Sequence, residues 1–151
     1  VGVKMAAHEG RYYVEDVVRG QWSDYEREKT MRATAETDGV EVEIAYEVEG
    51  GSGGKDSAAA TARNLAGFVV SAERPTGDKA TRATPFAAQC EAGSVSIKRA
   101  PWNGAYIAEL CAFPHGTHDD QVDASSGAFN KLARPDSGLE YLEYMKRSAQ
   151  E

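Results

Sequence analysis

The sequence predicts an α/β layered fold, and three observations predict it. Strand-like and helix-like segments alternate after an opening hairpin. Residues 40–48 alternate with period two, Val40, Val42, Ile44, Tyr46 and Val48 on one face and Glu41, Glu43, Ala45, Glu47 and Glu49 on the other, as in a strand. Two later segments, beginning at Trp102 and at Asp119, repeat apolar residues at helical spacing.

In chain order, residues 1–7 and 11–19 read as strands joined by a Glu9-Gly10 turn, the second strand rich in Tyr and Val. Ser23, with Glu26 three residues on, has the capping-box pattern and starts a helix that Gly39 stops. The alternating strand runs into a glycine-rich loop, residues 50–54, before an alanine-rich helix over 55–65. Residues 68–71 are a short apolar strand. Residues 78–90 read as a helix interrupted near Pro85, and 95–98 as another short strand. Pro101 suits the first turn of a helix reaching about Ala112. Trp102, Ala105, Tyr106, Leu110 and Phe113 form its core stripe, with Glu109 among them. A helix over 119–132 follows, with Val122, Phe129 and Leu132 buried, and a last helix spans 139–148. The organisation expected is one domain over residues 1–134 and a helical tail over 135–151.

Length and charge narrow the function. The chain has 151 residues, 41% of them hydrophobic, enough for a packed core and too many for wholesale disorder. No apolar run approaches the ~20 residues of a membrane span, so no membrane partner is expected. The first residue is Val1 and no signal-peptide pattern follows, as in a piece of a longer protein. Cys90 and Cys111 are too few for a disulfide framework and are expected as buried reduced thiols. The net charge of -7 disfavours sequence-independent DNA binding by the whole surface. Its distribution is uneven: residues 55–101 hold 7 basic and 4 acidic side chains, so a face for a polyanion would be built there.

Four constellations bear on chemistry. In His118-Asp119-Asp120-Gln121-Val122-Asp123, three carboxylates crowd a helix start. Acids are favoured there by ~0.3–1 kcal/mol each. A like-charge pair 4 Å apart nevertheless costs ~4 kcal/mol at an effective dielectric near 20. Capping and binding of a divalent cation both fit the spacing. Glu47 and Glu49 stand at the carboxyl end of the alternating strand, where ligands of α/β sheets gather, although Glu47 also continues an acidic face with Glu41 and Glu43. The glycine loop ending in Lys55 fails the ATP-binding spacing, because position 49 is Glu and Asp56 follows the lysine. His115 and His118 have zinc-like spacing but no nearby cysteine.

These residues also sit in longer familiar strings. Tyr46 to Lys55, Y-E-V-E-G-G-S-G-G-K, resembles the E-Q-E-P-G-S-x-G-K stretch of phage terminase large subunits. Gly77 to Ala83 resembles their G-D-K-x-x-R-A stretch. Trp102-Asn103, Glu109-Leu110, Phe113-Pro114 and His118 to Ala124 resemble their closing W-N, E-L, F-P and H-D-D-x-V-D-A signature, and residues 13–19 are similar to the family's hairpin strand. The matches keep family order over roughly residues 1 to 133.

The resemblance implies the C-terminal nuclease domain of a phage or prophage DNA-packaging motor. It implies a ribonuclease H-like mixed sheet flanked by helices, and cleavage of concatemeric double-stranded DNA by a two-metal mechanism. Oxygen ligands suit Mg²⁺ or Mn²⁺. By motif position Glu47 and Asp120 are the second and third catalytic acids, Asp119 and Asp123 assist at the metal, and Lys55, Lys79 and Arg82 meet DNA. The portal protein and the small terminase subunit are the implied partners, in the host cytoplasm. Two departures go with it. Val48-Glu49-Gly50 stands where many relatives have Gln-Glu-Pro. The family's first catalytic Asp lies on a strand before the hairpin, and no residue here matches it, so the expected sheet lacks its first strand. The alternative is therefore a catalytically incomplete module that docks onto the packaging machinery or binds DNA.

Overall fold

A computed structural model describes residues 1–48 and 50–134. They form two compact units, one of residues 18–82 with Val1, the other of residues 2–17 and 83 onward.

In the second of these, strands β1 (Gly2–His8) and β2 (Arg11–Val18) make the expected hairpin. Glu9 and Gly10 both have positive φ, 48° and 75°. A two-residue turn of that hand matches the right-handed twist of the strands it joins. Strand β5 (Val95–Ile97) adds to β2 in parallel, pairing Tyr12 with Val95 and Val14 with Ile97, so the three-stranded sheet is mixed, in the order β1-β2-β5.

Helices α3 (Lys79–Glu91), α4 (Asn103–Ala112) and α5 (Asp120–Ala133) follow in the chain. Val14, Val17 and Tyr106 form the core, against which Val3, Met5, Val95, Ile97, Trp102 and Leu110 pack. Trp102 meets Tyr106 edge-on at 5.5 Å. The Phe129 ring of α5 meets those of Tyr12 at 4.6 Å and Phe86 at 5.7 Å, both in tilted contacts. Of the stripe predicted for α5, Val122 and Phe129 are buried but Leu132 is 40% exposed, because it falls in the helix's last turn. Gln121, Ser125 and Ser126 are buried in that helix instead.

Helix α3 does not break at Pro85. The missing N–H leaves the Thr81 carbonyl without its intrahelical donor. Ala83 and Phe86, on either side of the proline, are both buried, and that packing holds the helix through it. The cysteines also differ from expectation. Both are exposed free thiols, Cys90 in the last turn of α3 and Cys111 in the last turn of α4.

The other unit is built from helix α1 (Asp24–Asp38) and a parallel βαβ element: strand β3 (Ile44–Glu47), helix α2 (Ser52–Asn64) and strand β4 (Val70–Glu73). Strand β3 is half as long as its alternating sequence. A strand extends only as far as its ladder, and β4 supplies four partners, Val70 to Glu73. Residues 39–42 turn instead, the Val42 N–H donating to the Gly39 carbonyl, and Val40 is 62% exposed. The glycine loop is mostly helix: Gly51, at φ 98°, is the N-cap of α2, and Gly53 and Gly54 lie in its first turn. Strand β4 begins two residues later than predicted.

Helix α1 buries only Ala35 and is held to its neighbours by polar groups. Glu28 accepts from the Thr61 hydroxyl (2.6 Å) and the Asn64 amide (2.9 Å). Arg32 donates to the carbonyls of Asn64 and Ala66 and lies 5.0 Å from the Phe68 ring centre. Its start carries the capping box read from sequence: Glu26 N–H donates to Ser23 Oγ, and Ser23 N–H to the Glu26 carboxylate. Ser23→Ala is expected to destabilise by about 1 kcal/mol in urea unfolding at pH 7. The Ser23 main-chain N–H, with the Ser23 hydroxyl, holds the Glu26 carboxyl below its ordinary range. A carboxyl lowered on folding stabilises above its unfolded pKa, near 4.3, and that contribution is lost as pH falls through the folded value. Glu26→Gln should therefore give a shallower acid limb in unfolding measured from pH 7 to pH 3.

No helix among the described residues is long and apolar enough to cross a membrane. The predicted helix over 139–148, the tail over 135–151 and Glu49 lie outside the described residues.

Candidate functional site

The acidic cluster sits where the sequence placed it, at the start of α5. Asp119 is the N-cap, Asp120 the first helical residue, and Asp123 closes the turn by donating its N–H to the Asp119 carbonyl at 2.9 Å. Asp120 is exposed; Asp119 and Asp123 are half-buried. The Asp119 side chain accepts no capping bond. The capping acceptor comes from α4 instead. One carboxylate oxygen of Glu109 accepts the Gln121 N–H at 2.6 Å, and the other accepts the Gln121 side-chain amide. In the sequence Glu109 stands only among a core stripe and in a family string. Its signal, an acid on an otherwise apolar helix face, has meaning only once a partner is known.

Beneath this turn the Tyr106 hydroxyl meets Ser125 Oγ at 2.7 Å, and Ser125 donates to the Gln121 carbonyl at 2.6 Å. Burial pushes the Tyr106 phenol up to about 12. The floor under the acids is thus a closed network of buried hydroxyls.

The remaining predicted residues belong to the other unit. Glu47 is the last residue of β3 and exposed. Its in-register partner is Glu73, the last residue of β4. In-register residues of adjacent parallel strands stand on one face about 4.8 Å apart at the backbone. Glu73 therefore joins Glu47 at the carboxyl end of the strand pair, which nothing in the local sequence indicated. Lys55 is exposed in the first turns of α2. Lys79 is exposed at the start of α3, where Asp78 caps the helix by accepting the Thr81 N–H (2.9 Å) and hydroxyl (2.7 Å). The Thr81 main-chain bond, with the hydroxyl, holds the Asp78 carboxyl below its ordinary range. Arg82 donates to the Gly77 carbonyl at 2.8 Å, so one edge of its guanidinium braces the loop.

Residues 1–132 match the family described as the terminase RNaseH-like domain. The chain belongs to that family. No curated protein and no solved structure matches it. The mixed α/β architecture is that of an RNaseH-like domain, and the family makes the chain a terminase nuclease-type domain whose setting is DNA and the packaging motor. The acids of this terminase domain, Glu47, Asp119, Asp120 and Asp123, offer only oxygen donors, the chemistry that hard divalent cations take. Among the described residues no three or more His, Cys, Asp or Glu side chains stand together as a ready metal cage, so the α5 acids do not form one by themselves. The same holds for His115 and His118 as zinc ligands. An open groove of about 530 Å³ beside α1 and α2 is lined by Glu28, Arg32, Glu36 and Asn64, which are bonded to one another or to their own unit.

Proposed function

We propose that this terminase domain is a Mg²⁺- or Mn²⁺-dependent endonuclease that hydrolyses phosphodiester bonds of concatemeric double-stranded DNA. The family match over residues 1–132 is the observation that carries the proposal. Glu47, Asp120 and Asp119 are assigned the catalytic acids, with Asp123 as a further metal ligand. Divalent ions held by these carboxylates would supply a water of lowered pKa and a counter-charge for the leaving oxygen. Each unit contributes its own acids, Glu47 at the end of β3 in one and Asp119, Asp120 and Asp123 at the start of α5 in the other. The portal protein and the small terminase subunit are proposed as partners, in the cytoplasm of the phage host.

The test is cleavage of plasmid DNA by the full-length protein with Mg²⁺, with Mn²⁺ and with chelator, alongside Mn²⁺ calorimetry. Cutting that needs a divalent ion, with Mn²⁺ binding, supports the reading. DNA binding with neither cutting nor Mn²⁺ binding moves the assignment to the docking module.

Lys55, Lys79 and Arg82 are proposed to meet the DNA backbone, and Lys79, exposed at the start of α3, provides the test. Lys79→Ala should weaken DNA binding about equally across sequences and reduce the slope of log K against log salt by about 1. An unchanged slope in a filter-binding series removes Lys79 from the interface.

A further inference from the structure

Three features set Glu109 apart from an ordinary helix cap. It acts across elements, from α4 onto the second residue of α5, while the adjacent N-cap acid does not cap. It makes two bonds to one residue, gripping both the main-chain N–H and the side-chain amide of Gln121. That grip also leaves something unsatisfied. Gln121 is fully buried, and its Oε1 has no donor among the described residues. Rotating the amide would only set an oxygen against the Glu109 carboxylate, itself an acceptor. The orphan is therefore a consequence of the grip. An unsatisfied buried acceptor costs about 1–3 kcal/mol, and such local costs collect at functional sites.

We infer that Glu109 is a positioning residue: by clamping Gln121 it fixes the first turn of α5 and so aims the neighbouring Asp120 carboxylate. The inference rests on the metal-dependent reading proposed above. Asp120 is exposed at the end of a helix, where termini fray unless their N–H groups are satisfied. Glu109 satisfies one of them with an ionisable group that also adds negative charge behind the site. Groups that orient ligands in this way commonly change metal affinity 10–100-fold when removed.

The experiment measures Mn²⁺ binding by calorimetry, and kcat and KM for DNA cleavage, in the full-length protein and its Glu109→Gln and Asp120→Ala variants. Glu109→Gln keeps shape but sets an amide against the Gln121 amide. It is expected to weaken Mn²⁺ binding about 10–100-fold and lower kcat while KM for DNA stays unchanged. A purely structural role would lower the melting temperature and leave Mn²⁺ affinity and kcat alone below it. The exchange Glu109→Gln with Gln121→Glu restores a carboxylate–amide pair with its polarity reversed and should recover part of the Mn²⁺ affinity. If Glu109→Gln does not fold, Gln121→Met removes the side-chain half of the grip, keeps the main-chain bond and is expected to weaken Mn²⁺ binding several-fold. Parent-like Mn²⁺ affinity and kcat in these variants, with Asp120→Ala inactive, overturns the positioning role and leaves the nuclease reading standing. Full cleavage by Asp120→Ala overturns the assignment of Asp120 as a catalytic acid and, with it, the positioning role of Glu109.

Discussion

Asp120→Ala in the full-length protein is expected to reduce metal-dependent DNA cleavage by about 10³-fold, equivalent to roughly 4 kcal/mol of transition-state stabilisation. The fold should hardly register the change. Asp120 is exposed at the first position of α5, and its favourable interaction with the helix dipole is worth about 0.3–1 kcal/mol. Removing it also relieves repulsion from Asp119 and Asp123 in the same turn. The melting temperature should accordingly stay within a few degrees of the parent. Glu47→Ala is the companion variant. Its side chain is exposed at the end of β3, so activity should fall comparably with the fold retained. The measurement is single-turnover plasmid cleavage beside thermal unfolding. If both variants cut at the parent rate, Glu47 and Asp120 are not the catalytic acids.

The second large effect is on stability. Tyr106→Ala is expected to destabilise the unit of residues 2–17 and 83 onward by about 3–5 kcal/mol in denaturant unfolding. Tyr106 is fully buried, lies in the central cluster with Val14 and Val17, meets Trp102 edge-on and holds Ser125 under the acidic turn. Against a typical total of 5–15 kcal/mol, that is a large share. Tyr106→Phe separates the ring from its hydroxyl and should cost about 1 kcal/mol.

The phenol adds a pH signature. Its pKa is raised by burial from about 10 to about 12. The neutral form is favoured in the folded state, so this contribution is fully present below pH 10 and is lost as pH rises from there through 12. Tyr106→Phe should flatten that alkaline loss. An alkaline limb identical in parent and Tyr106→Phe would mean that the phenol titrates with the fold already lost.

What the sequence by itself determined is what acts over a few residues. The Ser23–Glu26 capping box closes within one helical turn. The Glu9-Gly10 turn needs two residues of positive φ and nothing else. The acids at the start of α5 are consecutive or one turn apart, and the ordered strings that resemble terminases needed no coordinates to be read. Tertiary structure decided whatever depends on a partner distant in the chain. Strand β3 stops where β4 ends its ladder, although its alternation runs further. Helix α3 continues through Pro85 because buried neighbours hold it, against the local preference. Glu73 stands beside Glu47 through a register between residues 26 positions apart, and Glu109 grips Gln121 from another helix. A hydrogen bond within one turn is encoded by its own residue types. A bond between elements exists only once burial elsewhere has brought those elements together, so its partners carry no local mark.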